Sequence, residues 1–195
     1  MTNIETFKKC MKDEADAIYN SIDCFGNEIN EAVDIIMNMK GKLVVMGVGK
    51  SGHVGEKIAA TLASTGTPSF FVHATEAVHG DLGMIGKEDV VILISNSGET
   101  KEVLNALPNI KKQGIKTISI TRNKNSTLAK NTDISICYQY KEECDHLHLA
   151  PTVSSTLTLV VGDALAVLLC EKRGFTASDF HLYHPGGALG KMLEK

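Results

Sequence analysis

Val90-Val91-Ile92-Leu93-Ile94 is a largely β-branched run without polar alternation, and it leads straight into Ser95-Asn96-Ser97-Gly98-Glu99-Thr100. A strand of that kind is buried on both faces, which places it in a parallel sheet covered by helices. From Lys101 onward apolar residues recur at helical spacing, so the hydroxyl-rich turn joins a strand to a helix. Its residues stand at a helix N-terminus, where unpaired N–H groups and the positive end of the helix dipole attract anions. Ser95, Ser97 and Thr100 add neutral donors, and a phosphate ester is the guest that suits them. Plain capping by Ser97 or Glu99 is the simpler alternative, but one cap needs neither three hydroxyls nor a nearby glycine.

The same alternation runs through the chain. Residues 4 to about 40 carry apolar side chains at helical spacing, interrupted near Cys24-Phe25-Gly26, and predict a helical hairpin ending at Lys40-Gly41. Ile4, Phe7, Met11, Ala15, Ile18 and Tyr19 form a stripe that suits either the sheet or a second subunit. Lys42 to Met46 and Ser69 to Val72 read as the first two strands, with a helix from about Gly52 to Ser64 between them. Further strands are expected at Lys116 to Thr121 and Asp133 to Tyr138, and further helices over Thr100 to Gln113, Ser126 to Lys130 and Thr152 to Lys172. A short helix starts at Thr176-Ala177, and the tail from Tyr183 is rich in glycine, so it must dock or stay mobile. The expected architecture is α/β: a doubly wound, five-stranded parallel sheet flanked by helices, with an N-terminal helical hairpin.

The glycine turn Gly47-Val48-Gly49-Lys50-Ser51-Gly52 touches two well-known patterns and satisfies neither. A P-loop requires a glycine where this chain has Val44, inside the strand. The dinucleotide fingerprint expects an acidic residue at the end of the second strand, where Val72-His73 stands. What remains is a glycine-lined cleft wall with Lys50 and Ser51 at a second helix N-terminus. Lys50 is suited to an anion or to an oxyanion formed in a reaction. His79, between Val78 and Gly80-Asp81, suits general acid-base work, as does His184 in the tail. Lys141-Glu142-Glu143-Cys144-Asp145-His146-Leu147-His148 crowds ionisable groups into a loop, where Glu142 or Glu143 could serve as a base. Cys144, His146 and His148 lack a second ligand pair at zinc spacing, so no metal is expected.

With 195 residues and 43% hydrophobic content, the chain supports one well-cored domain over 1–195. A formal net charge of −3 provides no general basic surface for nucleic acid or an anionic membrane. Cys10, Cys24, Cys137, Cys144 and Cys170 are scattered, odd in number and free of C-x-x-C pairing, which points to a reducing compartment. The start has no basic-then-apolar leader and no apolar run approaches a membrane span, so a cytoplasmic protein is expected.

The stretches GVGKSGHVGEKIAATLASTGTPSFFVHATEAVHGDLGM, ISNSGET, LAPTVSSTLTLVVGDALAV and HPGGALGK together resemble sugar isomerase (SIS) domains, and closely the bacterial D-arabinose 5-phosphate isomerases. The resemblance implies a homotetramer that interconverts D-ribulose 5-phosphate and D-arabinose 5-phosphate, an aldose that feeds synthesis of Kdo for lipopolysaccharide or capsule. Such enzymes usually continue into a paired CBS module, whereas this sequence stops at Leu193-Glu194-Lys195, as in the short members. It further implies that Ser51, Ser95, Ser97 and Thr100 hold the phosphate, with Gly49 and Gly98 as cleft backbone. Glu143 is the first choice for the C1/C2 base and Glu99 the second. His79 and His184 are candidates for ring opening and proton shuttling, one or both in a neighbouring subunit's cleft, and Lys50 steadies the enediolate. The chemistry needs no cofactor. Isomerases of hexulose 6-phosphate or sedoheptulose 7-phosphate are alternatives within enzymes, and a non-catalytic phosphosugar sensor is one outside them.

Overall fold

The computed structural model describes residues 1–186, and the glycine-rich tail from Gly187, with the docking expected of it, lies outside them. Thr2 caps α1 (Asn3–Ser21) through a capping box with Glu5. A single 3₁₀ turn at Ile22–Cys24 leads into α2 (Asn27–Asn38), completing the expected hairpin. β1 (Leu43–Gly47) then enters α3 (Gly49–Ser64), which begins three residues earlier than the sequence pattern suggests. Gly49, at φ 59°, turns the chain into that helix sharply enough to put Lys50 and Ser51 in its first turn.

β2 (Ser69–His73) runs into a short α4 (Ala74–Ala77) and a 3₁₀ turn at Asp81–Met84. β3 (Val90–Ile94) is followed by α5 (Lys101–Lys112), β4 (Lys116–Thr121), α6 (Thr127–Asn131) and β5 (Ile134–Cys137). The chain continues into α7 (Val153–Lys172) and α8 (Ala177–Tyr183). The five strands are all parallel in the order β2-β1-β3-β4-β5, with Val44 opposite Phe70 on one side and Val91 on the other.

Alternation along the strands divides the core into two layers. Leu43, Val45, Ile92, Ile94, Ile118 and Ile120 pack with α2, α3 and α7, while Val44, Met46, Val91 and Leu93 pack with α4, α5 and Leu128 of α6. Each such fully buried side chain contributes about 1.5–3 kcal/mol by leaving water. Against the expectation that no apolar run approaches a membrane span, α7 is long and apolar enough by length and composition to do so. Half of it is buried inside the protein, and its Asp163 pairs with Lys57 of α3. Its apolar character is thus used in the core.

The strand order reverses between β1 and β3. Chain leaving β1 goes to one side and chain leaving β3 to the other, which opens a crevice at their C-terminal ends. The stripe on α1 finds no place on the sheet: Ile4, Phe7, Met11, Ala15 and Tyr19 are exposed, and Ala17 and Ile18 alone of this region reach the core.

Candidate active site

A cleft of about 180 Å³ occupies that crevice, lined by Val48, Lys50, Ser51, Asn96, Pro151, Ser154, Ser155 and Thr158. Three chain elements converge on it: the first turn of α3, the serine turn after β3, and the first turns of α7. Two of these are helix N-termini, so backbone N–H groups and two dipoles favour an anion between them. Lys50 brings an ammonium-bearing side chain to its lining. Gly49 leaves open space where a side chain would stand.

The serine turn contributes Asn96 to the cleft lining. The hydroxyls of Ser95 and Thr100 bond each other at 2.7 Å, and Ser95 Oγ also accepts from the Gly98 N–H at 3.0 Å. Ser95 thus ties the Thr100 hydroxyl to the backbone of the turn. Ser97 is exposed, and its Oγ accepts from the Glu99 N–H at 3.1 Å. Gly98 corrects its expected place as cleft backbone. It is buried at φ 72°, its N–H is held by Ser95, and a Cβ there would lie 2.1 Å from Ser126 Oγ. Its role is close packing of the turn on α6.

The structure also moves Glu99 away from the cleft. Its Oε1 accepts from the Thr127 N–H at 2.7 Å, and this bond, with a further one from the Thr127 side chain, holds the carboxyl below the usual carboxylate range. Glu99 serves the N-terminus of α6.

Glu143 lies immediately behind the cleft wall, 6% exposed. Its Oε2 accepts from the N–H groups of Thr152 and Ser154 at 2.8 and 3.2 Å and from the Thr152 hydroxyl at 3.0 Å. Its Oε1 accepts from the Tyr140 hydroxyl at 3.0 Å, and that hydroxyl accepts in turn from Asn96 Nδ2 at 2.9 Å. Burial alone would raise this carboxyl, but the bonds from Ser154 and Thr152 outweigh it and hold the group below its ordinary value. Glu143 is an ionised carboxylate bonded to two elements of the cleft. The adjacent Cys144 thiol is pushed up to about 11, by burial first, and is no thiolate nucleophile at neutral pH.

Neither histidine lines this cleft. His79 is exposed beyond α4, at the same edge of the sheet. His184 closes α8, its ring stacked on Phe180 at 3.9 Å and its Nδ1 donating to the Phe180 carbonyl at 2.9 Å. α7 begins at the cleft and runs 20 residues away from it, about 30 Å at 1.5 Å per residue. His184 therefore sits at the far end of the molecule from its own cleft.

Sequence patterns did not single out Asn96, Ser154, Ser155, Thr158, Tyr140 or Arg122. The Ser154-Ser155 pair at a helix start was the available signal. Arg122 follows β4, its N–H bonds the Asn96 carbonyl at 3.1 Å, and its guanidinium lies 4.4 Å from the Tyr140 ring centroid.

The SIS domain family matches residues 35–168, the whole sheet and most of α7. The chain belongs to the SIS domain family. Among curated SIS proteins, the arabinose 5-phosphate isomerase KdsD of Pseudomonas aeruginosa is 55% identical over 92% of this chain, and KdsD of Yersinia pestis is 51% identical over 95%. The chain spans about half the length of these relatives, 55% and 57%. The solved structure of E. coli CFT073 c3406 in complex with arabinose 5-phosphate is 53% identical, with a TM-score of 0.91, covering 95% of this chain and 100% of that one.

Proposed function

We propose that this SIS domain is an aldose-ketose isomerase that interconverts D-ribulose 5-phosphate and D-arabinose 5-phosphate. The observation that carries the reading is the meeting of Lys50, Ser51, Asn96, Ser154 and Ser155 at the switch point of a fold shared, at 53% identity, with a protein solved in complex with arabinose 5-phosphate. The product would feed Kdo synthesis for lipopolysaccharide or capsule, in keeping with the relatives named KdsD.

The phosphate is held by Ser51, Ser97 and Thr100 with the helix N-termini, and Ser95 orients Thr100 from behind. With O5 phosphorylated, the aldose closes only as a furanose, so a proton transfer must first open the ring. A base then takes the C2 proton and returns it to C1 through an enediol. Glu143, held against the cleft wall by Tyr140, Thr152 and Ser154, is the carboxylate assigned this role. Lys50 faces the developing oxyanion. The chain's own groups carry each of these proton transfers.

His184 is proposed to serve the cleft of a neighbouring subunit, and His79 to shuttle protons at the cleft edge. The exposed Ile4, Phe7, Met11 and Tyr19 of α1 support burial against other copies in a homotetramer, since such a stripe is costly to leave in water. Five free cysteines support a cytoplasmic setting.

The test is incubation of purified protein with D-arabinose 5-phosphate, without added cofactor, while D-ribulose 5-phosphate is followed. Conversion in both directions is expected. Saturable binding without conversion would instead make the chain a phosphosugar sensor, and a preference for hexulose 6-phosphate or sedoheptulose 7-phosphate would replace the pentose assignment.

A further inference from the structure

Cys10 and Glu14 stand one turn apart on α1, so their side chains share a face of that helix. Opposite them is Cys144, in the loop that follows β5. Cys10 Sγ, a Glu14 carboxylate oxygen and Cys144 Sγ all lie within 4.8 Å of one another, and all three residues are partly buried. Cys144 Sγ is 3.4 Å from the Cys10 carbonyl oxygen, so the thiol is aimed at α1. The sequence pattern grouped Cys144 with His146 and His148, but the fold separates them: His148 Nδ1 is bonded to the Glu143 carbonyl at 2.9 Å.

We propose that Cys10, Glu14 and Cys144 form a binding site for a soft divalent cation such as Zn²⁺, linking α1 to the loop that carries Glu143. The donor set suits that class of ion, because two sulfurs and one carboxylate oxygen are ligands of zinc and cadmium and not of magnesium or calcium. Tetrahedral zinc with Zn–S bonds of about 2.3 Å and Zn–O bonds of about 2.0–2.2 Å needs ligand atoms roughly 3.5–3.8 Å apart. Small rotations of three partly exposed side chains reach that spacing.

The supporting contacts are those of a held site. Glu14 Oε2 accepts from the Thr156 hydroxyl at 3.0 Å, which orients the carboxylate. The Cys144 N–H donates to Thr152 Oγ1 at 2.9 Å, which fixes the backbone that presents the thiol. Binding releases the two thiol protons to solvent and leaves two thiolates, one carboxylate and the dication, with water as the fourth ligand. The net local charge is then −1, with Lys9 close enough to Cys144 to interact with it.

The site lies outside the substrate cleft, and its consequence is mechanical: the ion ties an otherwise exposed N-terminal helix to the loop 141–149. The helix and the loop, which meet now through partly exposed contacts, would then unfold together.

The experiment uses the full chain, reduced with a phosphine and stripped of metal by a chelator that is then removed. Titration with Co²⁺ and with Cd²⁺ is followed by near-ultraviolet thiolate-to-metal absorption, and Zn²⁺ is used to displace them. One ion per chain, a charge-transfer band and a rise in Tm are expected. Cys10→Ser and Cys144→Ser should each abolish the band, whereas Cys24→Ser and Cys170→Ser should retain it. Thr156→Val should weaken binding on the order of 10- to 100-fold. Cys10→Ser lies on an exposed helix, so an unchanged apo-protein Tm shows that loss of the band is not loss of fold. Absence of the band in the parent chain, or its survival in Cys10→Ser, overturns the proposal.

Discussion

The hydroxyl of Tyr140 donates to Oε1 of Glu143 at 3.0 Å, and this bond joins the serine turn to the N-terminus of α7. Tyr140 is held from the other side by Asn96 Nδ2, and Glu143 is held by Thr152 and Ser154. A carboxylate in such a chain is held in register with the serine turn. Holding a reacting group in place removes orientational freedom before the reaction begins.

Replacing Tyr140 by Phe keeps the ring beneath Arg122 and removes both hydroxyl bonds. Asn96 keeps its second bond, from the Tyr138 hydroxyl to Oδ1 at 3.0 Å, so the turn should survive. The expected loss of stability is about 1.5–3 kcal/mol, the net worth of a bond made to a charged group. Turnover should fall while KM for the phosphosugar changes little, because the substitution leaves Lys50, Ser51, Ser97 and Thr100, the groups proposed to meet the phosphosugar, untouched. Steady-state kinetics with chemical denaturation check both. A large rise in KM with unchanged kcat would show that Tyr140 supports the phosphate turn alone.

Glu143→Gln separates the two roles of the carboxylate. As a base, Glu143 should account for a factor on the order of 100 to 10,000 in turnover. As the group that satisfies the first N–H donors of α7, it also couples stability to pH. Its folded pKa lies below the ordinary value of 4.5, so its contribution is complete above about 4.5 and disappears as pH falls through the depressed value. Denaturant midpoints measured from pH 7 down to 3 should therefore fall more steeply for the parent chain than for Glu143→Gln. Parallel curves with full activity would remove Glu143 from both roles.

The parts of this molecule set by local physics were legible before any coordinates. Val90 to Ile94 matched its strand to the residue, because a run without polar alternation has no other stable place. α3 was predicted three residues too short because Gly49, at φ 59°, begins a helix without a side-chain cap, and no residue type announces such a start. At the candidate site, Lys50 and Ser51 were found from the glycine turn. Glu99 was misjudged because its partner, Thr127, lies 28 residues away in sequence. Asn96, Tyr140 and Glu143 form their chain through a tertiary contact 44 residues long, which no spacing rule contains.

Gly98→Ala tests whether the turn is built on close packing. The new Cβ would stand 2.1 Å from Ser126 Oγ and 2.4 Å from Ser126 Cβ, at φ 72°. Backbone strain alone should cost about 1–3 kcal/mol, and the displacement of Ser126 adds to it. Because Ser126 caps α6 by accepting from the Ala129 N–H, that helix should loosen with the turn. Hydrogen exchange should show faster amide exchange in α6 and in residues 95–100, together with a lower Tm. Exchange confined to the turn would mean that α6 is held independently.

His184 offers a test of the assembly as well as of the chemistry. α7 carries the chain about 30 Å from the cleft before α8 begins, at 1.5 Å per residue, so His184 cannot meet Glu143 of its own chain by any small motion. Two chains, each inactive by itself, should therefore complement one another. When Glu143→Gln and His184→Ala proteins are mixed under conditions that exchange subunits, a site that takes Glu143 from one chain and His184 from the other becomes whole. Random mixing of a symmetric oligomer restores about a quarter of parent activity. If His184 served its own cleft, every site would carry one defect or the other, and the mixture would stay as inactive as its components. Light scattering on the same samples fixes the oligomer mass, and a monomer would end the shared-site assignment before any kinetics are read.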